Sequence, residues 1–350
     1  MRIGILTGGG DCPGLNAVIR AVVRKGIFHY QDEVIGFLEG WRGVMENLTV
    51  NLDLEAVAGI LPRGGTILRT SRTNPAKWEG GLEKCIDTFS RNSIEALVCI
   101  GGDDTQSVAQ KLSEKGVKLV GVPKTIDNDL SGTDFCFGFD TAVTVATEAI
   151  DRVHTTAEAH NRVIVVEVMG RDSGWIAIYS GIAGGADVIL IPEKPFDIDE
   201  IAETLKRRHE RGRYFSIVVV AEGTQLKASD SSPPDSSQLH GKDEFGHARL
   251  GGIGNLLAHE IEHRTRFETR AVVLGHIQRG GTPTAFDRVL ATRYGVGAID
   301  LVHQGKFGQM VALRGNDIIS IPLIDALKGT RTVSQDLIDV AMSLNDRSNA

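Results

Sequence analysis

The sequence predicts an α/β fold organised around a buried parallel sheet. Short apolar, β-branched runs recur along the chain, helical patterns separate them, and almost every run ends directly in glycine or a charged residue. Strands covered by helices on both faces lose the apolar/polar alternation of a half-exposed strand, so unbroken apolar runs between helices point to a parallel sheet. The predicted strands are Ile3 to Thr7, Ala96 to Ile100, Lys118 to Val122, Val163 to Met169, Val188 to Ile191, Ser216 to Ala221 and Ala271 to Leu274. The turns that follow include Gly8-Gly9-Gly10-Asp11, Gly101-Gly102-Asp103-Asp104, Pro123-Lys124, Gly170-Arg171, Glu222-Gly223 and Gly275-His276. In open α/β sheets the ligand crevice lies beyond the carboxyl ends of the strands, so these turns are expected to converge.

Composition narrows the function classes. A chain of 350 residues, 41% of them hydrophobic, can bury a large core and points to two domains. The net charge of −7, with no long run of Lys and Arg, argues against a nucleic-acid partner. The four cysteines (Cys12, Cys85, Cys99 and Cys136) stand singly, without zinc-ligand spacing, which suits a reducing cytoplasm. No stretch approaches the ~20 apolar residues of a membrane helix, and the apolar run at the N-terminus is too short for a secretory signal. A cytoplasmic protein is expected. Leu226 to His240 is rich in turn formers and reads as a surface loop, whereas Lys206 to Arg213 reads as the solvated end of a helix and Ser343 to Ala350 as a polar terminus that frays.

Three turns carry the densest chemistry. The first, Gly8 to Gly14, enters a helical pattern from Leu15 to Arg24; glycines admit a phosphate to the backbone and a helix N-terminus supplies N–H donors, although such a turn can also exist merely to reverse the chain. It is neither a P-loop nor a clean dinucleotide fingerprint. The second presents Asp103 and Asp104 side by side, where capping a helix needs only one carboxylate, and Asp103 could hold Mg2+ against donor phosphates. The third, Pro123-Lys124-Thr125-Ile126-Asp127-Asn128-Asp129, offers both a base for an attacking hydroxyl and a cation for a transferring phosphoryl group. Met169-Gly170-Arg171, Glu222-Gly223, Arg270 to Arg279 and Arg162 add groups suited to a phosphorylated sugar, since arginine forks phosphate and a carboxylate accepts sugar hydroxyls. Each alone could be a surface ion pair; their shared position at strand ends is the signal.

Six ordered motifs span nearly the whole chain: GGGDCPGLNAVIR at 8–20, GGDDT at 101–105, PKTIDND at 123–129, NRVIVVEVMGRDSGW at 161–175, AEG at 221–223 and TRAVVLGHIQRGGTPTAFDR at 269–288. Together they resemble the phosphofructokinase family. The resemblance implies two similar Rossmann-like three-layer domains, 1–138 plus about 278–332 and 139–277 plus about 333–350, with the active site between them. It implies Mg2+ dependence, with Asp103 as metal ligand, and a homodimer or homotetramer. Asp127 matches the family's proton acceptor from the sugar 1-hydroxyl, with Thr125 and Asp129 beside it. Gly10 and Arg72 match donor-side contacts, and Met169, Gly170, Arg171, Glu222, His276 and Arg279 match sugar-phosphate contacts. Arg162 and Arg270 match the two arginines that reach a neighbouring subunit.

The choice of donor rests on Asp104 and Lys124. ATP-using members of the family that this chain resembles typically carry glycine at the position of Asp104, and many carry glycine at that of Lys124. A carboxylate at 104 fills the space of a nucleotide α-phosphate and repels its charge, whereas pyrophosphate has no such group. Lys124 can offset Asp104 and stabilise the transferring phosphoryl. The expected reaction is reversible phosphorylation of fructose 6-phosphate at its 1-hydroxyl by pyrophosphate. The alternatives are an ATP-dependent phosphofructokinase, acceptance of a longer sugar such as sedoheptulose 7-phosphate, and a non-catalytic subunit that binds sugar phosphate. Arg20, Arg24, Arg211 and Arg213 only partly resemble an effector site, so weak or absent nucleotide control is expected.

Overall fold

A computed structural model describes residues 1–227 and 251–343. The loop expected from Leu226 to His240 and the terminus beyond 343 lie almost wholly outside the described residues. The chain divides into two compact units, Met1–Thr141 with Arg279–Thr330 and Ala142–Gln278 with Arg331–Ala350.

The first unit contains a seven-stranded sheet in the order β11-β10-β5-β4-β1-β2-β3. The strands are β1 (Arg2–Thr7), β2 (Glu33–Phe37), β3 (Thr49–Leu52), β4 (Ala96–Gly101), β5 (Leu119–Pro123), β10 (Gln309–Arg314) and β11 (Asp317–Pro322). Pairings through β10-β5-β4-β1-β2 are parallel, and β3 and β11 close the two edges antiparallel. β1 and β4 are buried along nearly their whole length, as their unbroken apolar runs require. Leu6, Leu97 and Cys99 pack into one cluster with Trp41 of α2 (Trp41–Glu46), Phe89 of α3 (Gly81–Arg91), Val108 of α4 (Asp103–Glu114) and Ala326 of α10 (Leu323–Ala326). On the other face α9 (Ala285–His303) packs along α1 (Leu15–Lys25) and onto β5 and β10. Strands β2, β3, β10 and β11 are not among the expected strands: β2 and β10 bury short apolar runs of four residues, Val34 to Phe37 and Met310 to Leu313, whereas β3 and β11 are mostly exposed or half-buried edge strands that a search for buried runs does not find.

The chain passes from the first unit into the second within α5 (Phe139–His160). The second unit's sheet has the order β7-β8-β6-β9, all parallel: β6 (Val163–Val168), β7 (Val188–Leu190), β8 (Ser216–Ala221) and β9 (Thr269–Val273). Val163, Val165, Val218 and Val220 pack on α7 (Ile198–Glu210) and α8 (Ile253–Thr265), while α6 (Trp175–Ala183) packs against β7 and β8. The fold is thus α/β with two Rossmann-like units and mainly parallel sheets. The basic end of α7 is solvated as expected, with Arg207, Arg211 and Arg213 exposed, while Arg208 pairs with Asp187 at the base of β7. Among the described residues no helix is long and apolar enough to cross a membrane.

Candidate active site

In the first unit β5, β4 and β1 are neighbours, so the turns leaving their carboxyl ends lie side by side. Backbone hydrogen bonds continue past the strands into those turns: Gly8 N–H donates to Ile100 O at 2.9 Å and Lys124 N–H to Gly101 O at 3.1 Å. Thr105, buried in the first turns of α4, packs so closely on Gly8 that a Cβ there would come within 2.5 Å of its Oγ1. Gln106 is fully buried, and its Nε2 lies 3.2, 3.1 and 3.0 Å from the carbonyls of Cys99, Gly101 and Val122, tying the ends of β4 and β5 together.

Lys124 is the centre of this cluster. Its side chain is only 4% exposed, and its ammonium donates to Gly10 O at 2.5 Å. Burial pushes the ammonium below the ordinary lysine value; the charges of Asp127 and Asp11 oppose that fall, and Arg279 adds to it. Burial also pushes the Cys12 thiol up to about 12, so the group beside Lys124 is neutral at physiological pH. The Lys124 ammonium thus donates to the Gly10 carbonyl, and Asp127 and Asp11 are carboxylates whose charges favour it.

Asp127 is held by its own backbone, whose N–H donates to Thr125 Oγ1 at 3.0 Å, a local turn that fixes the backbone from which the carboxyl projects. Thr125 and Asp127 are each 8% exposed, and Asp129 is half-buried. Asn128 takes a left-handed backbone (φ 53°), and its Oδ1 accepts from Cys136 N–H at 2.9 Å. Asp103 and Asp104 occupy the first turn of α4, Asp103 exposed and Asp104 half-buried. Exposed Arg72 follows Thr70, whose Oγ1 donates to Gly9 O at 2.6 Å, so its segment is docked on the first turn. Asn16 anchors the same segment by donating to Arg63 O and accepting from Ile67 N–H. Arg279 belongs to this group as well: its Nη1 is 3.4 Å from Asp11 O, and a Cβ at Gly10 would overlap its guanidinium.

In the second unit, the turns after β6 and β8 adjoin because those strands pair directly. Met169 is buried, Gly170 has φ 144°, a region that favours glycine, and Arg171 has φ 53°. Arg171 N–H donates to Glu222 Oε1 at 3.2 Å, and Glu222 N–H donates to Val168 O at 2.9 Å. Ser173 closes the loop by donating from both N–H and Oγ to Gly170 O, at 3.0 and 3.1 Å. Exposed His276 follows β9, the other neighbour of β6. Met169, Gly170, Arg171, Glu222 and His276 thus share the carboxyl edge of this sheet. Arg162 and Arg270 do not join them; they flank the amino ends of β6 and β9, where both pair with Glu268, at 2.7 and 2.6 Å.

A family model described as Phosphofructokinase matches residues 2–302. The chain belongs to the phosphofructokinase family. A curated pyrophosphate–fructose 6-phosphate 1-phosphotransferase of Streptomyces coelicolor is 57% identical over 340 residues, covering 97% of this chain and 98% of its own. From the same organism, an ATP-dependent 6-phosphofructokinase 3 is 54% identical over 333 residues, 95% of this chain and 96% of its own. The solved structure of a pyrophosphate-dependent phosphofructokinase from Marinobacter aquaeolei superposes with a TM-score of 0.83, covering 98% of this chain and 91% of that one; at 22% identity the likeness concerns the fold.

Several residues that shape the turns are given no role by the sequence. Asn16, Thr105 and Ser173 lie within the quoted motifs and Gln106 just after one, but they are small or neutral polar residues whose value lies in what they touch. The one available signal is polarity on an otherwise apolar, buried helix face, as at Thr105 and Gln106 beside Val108, Ala109 and Leu112. A magnesium ion is compatible with the residues present. Among the described residues no group of three or more His, Cys, Asp or Glu could cage a metal. Asp103, an exposed carboxylate at a strand end, could supply one ligand, leaving phosphate oxygens and water for the rest, as this small ion prefers.

Proposed function

We propose that this phosphotransferase moves a phosphoryl group from pyrophosphate to the 1-hydroxyl of fructose 6-phosphate, reversibly. The observation that carries the donor is Asp104, a half-buried carboxylate in the first turn of α4, beside the turns expected to hold phosphates. An α-phosphate at that place would meet a like charge across a short, poorly solvated gap, which costs several kcal/mol, on the order of the penalty for like-charge juxtaposition. Pyrophosphate meets no such penalty.

In this reading Asp127 accepts the proton of the attacking hydroxyl, and the Thr125 turn keeps the carboxylate aimed. Lys124 and Arg72 stabilise the transferring phosphoryl, and Gly10 lets the backbone approach it; Arg171 is assigned the same charge-stabilising role from the acceptor loop. When bound through Asp103, Mg2+ would neutralise charge on the donor phosphates. Met169, Gly170, Arg171, Glu222 and His276 receive the sugar phosphate, with Asp129 and Arg279 as further substrate contacts. Arg162 and Arg270, set at the opposite edge of their sheet, would then serve the site of a second copy in a homo-oligomer. The four described cysteines are buried and free, which supports a cytoplasmic setting.

A second reading, ATP as donor, is favoured by the near-equal similarity of the ATP-dependent relative, 54% against 57%. The experiment is formation of fructose 1,6-bisphosphate from fructose 6-phosphate and Mg2+ with pyrophosphate or ATP at matched concentrations. Turnover with pyrophosphate alone is expected; turnover with ATP alone overturns the donor assignment and leaves the family intact.

A further inference from the structure

Glu193 stands outside every motif, yet its carboxylate joins three segments of the second unit. It follows β7 at the carboxyl edge of the sheet, and its Oε1 accepts from Gly174 N–H at 3.0 Å and from Val333 N–H at 3.0 Å. Gly174 is the residue at the N-terminus of α6, which has no side-chain cap of its own, so the Glu193 charge takes the place of a cap at the positive end of that helix. Gly174 also ends the loop that carries Met169, Gly170 and Arg171. A Cβ at Gly174 would overlap Ile191 Cγ2 and lie 2.8 Å from Glu193 Oε2, so glycine fits where Ile191 and the carboxylate both close on the chain. The other side of the contact is the segment before α11 (Gln335–Ser343). That segment is fixed a second time where Trp175 Nε1 donates to Arg331 O at 2.9 Å and the Arg331 guanidinium lies 4.1 Å over the Trp175 ring.

We infer that Glu193 is a positioning residue for the sugar-phosphate loop 169–174, acting by tying the start of α6 to the chain segment around Val333. The loop depends on such a tie. Gly170 and Arg171 both take positive φ, a backbone that persists only when its surroundings hold it. Ser173 on Gly170 O and Arg171 N–H on Glu222 are other holds on it, within the loop or on the site itself. Glu193 adds a hold from another segment of the chain. The C-terminal segment thereby becomes part of the acceptor-binding apparatus, although none of its described residues has been assigned to the site.

The inference rests on the reading of Arg171 and Glu222 as acceptor contacts, and the test separates the two. In Glu193→Ala, the KM for fructose 6-phosphate is expected to rise about tenfold while the KM for pyrophosphate stays within about twofold, because the donor turns belong to the other unit; tenfold corresponds to about 1.4 kcal/mol. Glu193→Gln keeps an acceptor oxygen for both N–H groups and should restore most of the loss. Hydrogen exchange, which needs no substrate, should quicken over 169–175 in Glu193→Ala and stay unchanged over 8–14. If Glu193→Ala does not fold, Val333→Pro, which deletes one donor and leaves the carboxylate, is expected to quicken the same segment. Unchanged exchange over 169–175 in the folded variant overturns the inference, as does an equal rise in both KM values. Faster exchange there without a change in the fructose 6-phosphate KM keeps the tie and overturns the acceptor reading of the loop.

Discussion

The ammonium of Lys124 lies 2.5 Å from the carbonyl oxygen of Gly10, and this contact joins the turn after β5 to the turn after β1. A buried cation on a backbone carbonyl is a stored donor: an entering phosphate offers a charged acceptor in place of a neutral one and adds charge–charge attraction to the hydrogen bond. Lys124→Met should therefore lower kcat by about 10^2- to 10^3-fold, in line with loss of one preorganised charge donor. Steady-state kinetics with saturating fructose 6-phosphate measure it.

The same lysine sets an alkaline limit. Burial lowers its titration below the ordinary 10.5, so the proton is lost earlier as pH rises. Activity should fall on the alkaline side of a pH profile of kcat/KM for the donor, at a pH below 10.5, and the Met variant should lack that limb. The stability effect has the opposite sign, because the unfolded chain holds this proton more tightly: stability from Lys124 increases as pH rises from the lowered value towards 10.5.

In the proposed reading Asp104 selects the donor. Asp104→Gly removes both the bulk and the like charge facing an α-phosphate. The ratio of kcat/KM for ATP to that for pyrophosphate should rise by at least about tenfold, or ~1.4 kcal/mol. A ratio that does not move would assign donor choice elsewhere.

Asp127→Ser removes the proposed base and leaves Thr125 and its turn. Turnover should drop by about 10^2- to 10^4-fold, the range for loss of a positioned general base. Fructose 6-phosphate affinity, measured by calorimetry without donor, should change by less than about threefold.

Asp287 gives a test of stability independent of catalysis. It is fully buried at the start of α9, and burial raises its carboxyl from 3.8 to about 6, against hydrogen bonds from Thr141 and Gly138 that pull the other way. The folded chain thus binds this proton more tightly than the unfolded one. Its contribution is fully present below about 3.8 and is lost as pH rises through about 6, a swing of ~3 kcal/mol at ~1.4 kcal/mol per unit. Chemical denaturation of the wild type and of Asp287→Asn, which stays neutral and can still accept from Thr141, should diverge between these two values and run parallel above pH 7.

The sequence by itself determined the fold class, because β1, β4, β6 and β8 are covered on both faces and burial writes itself as continuous apolar runs. It also marked the glycine- and charge-rich turns that the fold gathers at the carboxyl edges of the two sheets, since glycine, paired aspartates and arginine at strand ends are residue types whose use is local. Strands β3 and β11 escaped it: an edge strand buries little, and its pattern merges with that of a loop. Only the tertiary structure decided that Lys124 turns to Gly10, that Arg279 lies against Gly10 and Asp11, and that Arg162 and Arg270 flank the opposite edge of their sheet from Arg171. It likewise brought Gln106 across two strand ends and Glu193 to Val333, contacts between residues 16 and 140 positions apart. Such contacts depend on strand order and on the reach of single side chains, which no local pattern in a chain records, because the partners are brought together by the packing of elements distant in sequence.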